Sequence, residues 1–242
     1  MSNTLLLPDD PLGKKLLVMG DVNVGKTTLC RQWLAWLCAK GLGARIVVLD
    51  LAAHIPPAMA QTRGLAGVGG YLQPPPDCSV LDLRTHLYAP RLSSTTEAEA
   101  NEKAAHNARA IDALLAQLPP PGSGCDVLFV NDVTLYLQAG QAGDLIAQMG
   151  RADFTTLLVN GYWGQRLGDS ALSRRERAQT QRLREWFGRY GRVLDLGDGT
   201  GETVESQQGS AASSVLIPGA SCDNEKALKK ENASPHHPLD KQ

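Results

Sequence analysis

The chain has 242 residues, of which 43% are apolar and 20% charged, and its formal net charge is −1. That is a globular composition, long enough to bury a core without disulfides or a structural metal. The balanced charge excludes a globally basic nucleic-acid binder, and an aromatic content of 5% argues against a base-stacking surface.

The chain opens on a loose extension over residues 1–13. Leu5 to Leu7 meet Pro8, Asp9 and Asp10 at once and have no basic residues before them, so they do not read as a signal peptide. No apolar run approaches the ~20 residues needed to span a bilayer, and no membrane partner is expected. The cysteines Cys30, Cys38, Cys78, Cys125 and Cys222 are odd in number and show no CxxC spacing. They read as reduced thiols of a cytoplasmic protein rather than a disulfide framework or a zinc site.

Lys15 to Gly20 is an apolar run ending in glycine, as a buried strand should be. Residues 26–40 place Leu29, Trp33, Trp36 and Leu37 at helical spacing, and Gly41 and Gly43 stop that helix. Arg45 to Asp50 is a second strand, which completes a βαβ unit. Residues 51–79 are rich in proline and glycine and read as a loop with room for one short helix. Val80 to Leu83 is a short strand. Residues 97–118 predict a long helix closed by Pro119 to Pro121. Asp126 to Asp132 is a further strand, 141–150 a helix and Thr155 to Asn160 another strand. Ser173 with Glu176 reads as a capping box that opens a helix running to Phe187, and Arg192 to Leu196 is the last strand. Strands alternating with helices predict a three-layer, doubly wound α/β domain with a mainly parallel sheet over residues 14–200. Residues 201–242 are polar and read as a disordered tail.

The strongest motif is Gly20, Asp21, Val22, Asn23, Val24, Gly25, Lys26, Thr27 and Thr28, which fits G-x-x-x-x-G-K-[ST] between a strand and a helix. The glycines let successive N–H groups converge on an anion, and the following helix adds the positive end of its dipole. Lys26 would reach the β- and γ-phosphates, and the Thr27 hydroxyl would ligate Mg²⁺. This is the P-loop pattern of nucleoside-triphosphate-binding proteins. Two strand-ending acids, Asp50 and Asp132, are candidates for metal binding and for catalysis, since parallel strands end on the same edge as the loop. Because Asp50 follows the P-loop helix directly, its strand is expected to lie beside the P-loop strand, which makes it the first choice. The strand that would carry a guanine-reading motif gives Val159, Asn160, Gly161 and Tyr162, so ATP is the expected nucleotide.

The glycine loop with its helix, the strand ending at Asp50 and the loop that follows together resemble the nucleotide domain of the polynucleotide 5′-hydroxyl kinases. The segment from Asp126 to Gly140 is similar in shape to a later strand and turn of that family. By this resemblance Lys26 and Thr27 carry phosphate and metal contacts, and Asp50 is the metal-linked acid or general base. The chain departs from the family where Asp50-Leu51-Ala52-Ala53-His54 replaces D-x-D-x-G-Q. Two readings follow. One is Mg²⁺-dependent phosphoryl transfer from ATP, or ATP hydrolysis, with a nucleic-acid end or a small hydroxyl compound as acceptor. The other is an ATP-driven switch that controls a protein partner.

From Arg166 to Arg192 eight arginines face three acids. The glycines at 161, 164 and 168 would let this segment act as a lid, with Arg166 as the catalytic arginine and Arg174 and Arg177 next; the alternative is a solvated helix face. Val193 to Gly201 looks like the glycine loop of methyltransferases, but too little chain follows it to build that fold. The histidines show no ligand spacing.

Overall fold

The computed structural model describes residues 10–55 and 70–197. The first nine residues, the middle of the 51–79 loop, the last part of the glycine run at 197–201 and the expected tail lie outside the described residues.

Among the described residues six strands form one sheet: β1 (Lys15–Gly20), β2 (Ile46–Asp50), β3 (Leu81–Arg84), β4 (Val127–Asn131), β5 (Thr156–Tyr162) and β6 (Arg192–Leu196). Every strand pairing is parallel, in the order β3-β2-β4-β5-β1-β6. Alternate residues of the strands feed two cores. Leu16, Val18, Ile46, Val48, Val127, Phe129 and Leu158 pack with Leu29, Trp33, Leu34 and Leu37 of helix α1 (Lys26–Ala39). Leu17, Met19, Val47, Leu49, Leu128, Val130 and Val159 face the other way. They meet Ile111 and Leu115 of α3 (Glu97–Leu115), Leu145 and Met149 of α5 (Ala142–Arg151), and Leu183 and Phe187 of α6 (Ala171–Tyr190). A sheet covered by helices on both faces needs apolar residues on both, which is why the inner strands are continuous apolar runs rather than alternating ones. The result is a three-layer α/β fold.

Two short helices fall outside the sequence expectation: α2 (Pro90–Ser93), started by proline in its first turn, and α4 (Thr134–Leu137). The long helix α3 is capped by Thr96, whose side chain accepts the Glu99 N–H, while Glu99 accepts the Thr95 N–H.

Three expectations are corrected. The strand ending at Asp50 is not beside β1: β1 pairs with β5 and β6, and β2 is separated from it by β4 and β5. The chain returns from α1 to a distant place in the sheet and fills the gap later, so adjacency in sequence does not become adjacency in space. The capping residue of α6 is Ser170, whose side chain accepts the Ser173 N–H, and Glu176 is buried instead of capping. Cys38 and Cys78 form a disulfide, with Cα atoms 5.7 Å apart. Parallel pairing of β2 with β3 brings the approach to β3 back to the end of α1. Gly43 permits it, since a Cβ there would lie 2.7 Å from the Cys78 sulfur. No helix among the described residues is long and apolar enough to cross a membrane.

Candidate functional site

Since all strands run the same way, Gly20, Asp50, Asn131 and Tyr162 end on one edge of the sheet. The glycine loop leaves β1 there. Gly20, Asn23 and Gly25 hold φ of 154°, 62° and 95°, the positive-φ turns that a loop of converging N–H groups requires. Gly20 admits no side chain, since a Cβ would strike the Leu196 carbonyl oxygen of β6. Helix α1 begins at Lys26 with no side-chain cap and no acid in its first turn, so its N-terminal N–H groups remain for an anion.

The Lys26 ammonium lies inside the loop and donates to the carbonyls of Gly20, at 2.9 Å, and Asp21. Burial lowers its pKa, opposed by the charges of Asp132 and Asp21. Asp21 is a framework residue: its carboxylate accepts the Val22 N–H and, from beyond β5, the Gln165 N–H.

A cavity opens over the loop, with Lys26, Thr27, Arg91, Asn131, Asp132 and Tyr162 in its wall. Asp132 stands one residue beyond β4 at φ 58°, which is why the strand stops at Asn131. Its N–H donates to Asn160 Oδ1 at 3.0 Å, and its carboxylate accepts the Thr134 hydroxyl at 3.0 Å. Burial raises its pKa, against the opposing pull of that hydroxyl and of the Lys26 and Arg91 charges. Asp132 is therefore the acid that shares the loop's surroundings with Lys26.

Asp50 is placed differently. It is fully buried and does not line the cavity. Its carboxylate accepts from the Asn131 amide and the Leu72 N–H, each at 2.7 Å. Asn131 turns its other end, Oδ1, toward the Thr27 hydroxyl at 3.5 Å and accepts from Asn160 at 2.8 Å. Asn160 also donates to the buried Cys30 sulfur, whose thiol burial pushes up to about 11. A chain of neutral amides thus separates Asp50 from the loop, and Asp50 acts by positioning Asn131. Asn160, on β5, also lines the cavity.

The arginine expected from sequence is also displaced. Arg166 is exposed and does not line this cavity, although its neighbour Leu167 does. Arg174 and Arg177 face Asp169, Arg175 donates to the Ala139 carbonyl and Arg184 pairs with Asp195. The arginine in the wall is Arg91 of α2, with a side chain only 11% exposed. It pairs with Glu176 at 3.1 Å and lies over the Tyr162 ring at 5.0 Å. Burial pushes Glu176 up to about 7, opposed by Arg91 and by the Gln138 hydrogen bond. Arg91, Asn131 and Gln138 carry no motif, and the motif that held Glu176 was a helix cap rather than a site. The one available signal was a polar Asn at the end of an apolar strand, beside Asp132.

No protein-family model matches the chain, and no curated protein matches it.

Proposed function

We propose that the chain is a P-loop protein that binds MgATP in the 20–28 loop and transfers its γ-phosphoryl group to a hydroxyl. The observation that carries this is the Lys26 ammonium held inside a left-handed glycine loop at an uncapped helix N-terminus. Converging N–H groups, a helix dipole and a buried cation favour a polyphosphate together.

The oxygens beside the loop suit magnesium. The Thr27 hydroxyl and the Asn131 carbonyl are hard oxygen donors 3.5 Å apart, and Mg²⁺ keeps several water and phosphate ligands beside few from the protein. These two residues would hold it, and the ion would supply charge neutralisation on the phosphates. Lys26 orients the β- and γ-phosphates. Asp132, its proton affinity raised by burial, takes the proton of the attacking hydroxyl as that oxygen bonds to the γ-phosphorus. The bond from phosphorus to the bridging oxygen breaks, and ADP leaves.

A second reading, the nucleotide-driven switch, draws on the link from Thr27 through Asn131 to Asp50 and the Leu72 N–H. Contacts at Thr27 would bear on the segment between β2 and β3 through those four groups. Release of ADP from MgATP by the parent and by Asp132→Asn separates the two. The transfer reading requires turnover that depends on Asp132. A switch would bind MgATP with little turnover in either protein and change its protection from proteolysis between residues 51 and 80.

A further inference from the structure

Beyond the glycine loop, the same cavity has a second wall that meets the nucleotide reading only at Asp132. It is built by Arg91, Gln138 and Asp132, with Ala53, Ala89 and Leu135 supplying an apolar surface. Gln138 is buried, and its Nε2 donates to Glu176 at 2.8 Å. Its Oε1, also buried, has no hydrogen-bond partner among the described residues. A buried acceptor left unpaired is costly, and a donor that arrives with a ligand, or a water, would satisfy it.

Arg91 is the complementary half. Glu176 and the Tyr162 ring fix its position, and a guanidinium has five donors, of which Glu176 takes only part. The remaining donors match a carboxylate or phosphate edge. Asp132 lines the same cavity as Lys26 and Arg91, and both charges oppose the rise that burial causes in its pKa.

We infer that this wall is the acceptor subsite and that it takes a small hydroxy acid. Its anionic group pairs with Arg91, its hydroxyl donates to Gln138 or Asp132, and its carbon skeleton lies on the alanines and Leu135. One enclosed arginine suits one anionic group. A polynucleotide end would need a track of open cations beside the reacting group, and among the described residues the cations in the cavity wall are Lys26 and Arg91. The inference rests on nucleotide binding at the glycine loop, so ATP affinity is measured separately in every protein.

The test is label transfer from γ-labelled ATP to glycerate, gluconate and shikimate, with glycerol and a 5′-hydroxyl oligonucleotide as the competing acceptors. Label is expected on at least one hydroxy acid and on neither competitor. Arg91→Lys keeps the charge and the Glu176 pair while losing the planar fork. It should raise the KM of the acid about tenfold or more, with kcat within about threefold and ATP affinity unchanged. Gln138→Met, of similar volume, should also raise that KM. Label on the oligonucleotide, equal label on glycerol, label on none of the acids despite normal ATP binding, or an unchanged KM in Arg91→Lys overturns the subsite. Loss of ATP binding in the parent protein instead overturns the nucleotide reading, and the subsite with it.

Discussion

Asp50 and Asn131 stand opposite each other in the register of β2 and β4, and the Asn131 amide donates to the Asp50 carboxylate at 2.7 Å. That bond commits Asn131 to present its carbonyl oxygen toward Thr27, and it removes Asp50 from the cavity. It separates Asp50, which positions Asn131, from Asp132, the acid that lines the cavity.

The two acids should therefore respond in opposite ways to loss of charge. Asp50→Asn removes charge-assisted bonds from the Leu72 N–H and the Asn131 amide and should cost about 2 kcal/mol of stability. Asp132→Asn should leave stability unchanged or slightly raised, because burial disfavours its carboxylate, and should lower turnover by ~10²–10⁴. Urea unfolding beside steady-state kinetics reads both. Lost turnover in a stable Asp50→Asn, with Asp132→Asn active, would reverse the assignment.

Glu176 gives a pH signature. Its folded pKa is about 7 against an ordinary 4.5, so over that window the folded state holds a proton that the unfolded chain has released. Its contribution to stability therefore falls as pH rises from about 4.5 to about 7 and is flat above, a change of about 3 kcal/mol in all. Glu176→Gln should flatten the stability profile across that window, as measured by urea unfolding from pH 4.5 to 8. A variant whose profile keeps the parent's slope would remove Glu176 as its source.

The Cys38–Cys78 disulfide joins positions 40 apart in sequence. Closing a loop of that length restricts the unfolded chain and contributes about 4 kcal/mol in the chain-entropy account. The Cys38→Ser/Cys78→Ser double variant should unfold at correspondingly lower urea concentration, and reductant should shift the parent protein but not the variant. Identical midpoints would show that the bond contributes nothing.

The fold was legible because local signals agreed. Apolar runs such as Leu16–Met19 and Val127–Val130 are what a sheet buried on both faces requires, and the glycine loop was marked by its spacing. Strand order was not legible. The placement of β4 and β5 between β2 and β1 depends on packing, not on any residue of β2, and the preference for Asp50 rested on that adjacency. Arg91 was missed because a lone arginine after Pro90 has no pattern. It becomes a cavity residue only when α2 is set against Glu176 of α6 and Tyr162 of β5. The disulfide was missed because spacing along the chain does not encode the return of residue 78 to the end of α1.

If the 20–28 loop holds a nucleoside triphosphate through Lys26, removing that ammonium removes the binding. Calorimetric titration of MgATP into the parent protein and into Lys26→Ala, with far-UV circular dichroism to confirm the fold, tests it most directly. The account predicts a saturable heat in the parent, its loss in Lys26→Ala and unchanged spectra. Equal MgATP affinity in the two proteins would contradict it.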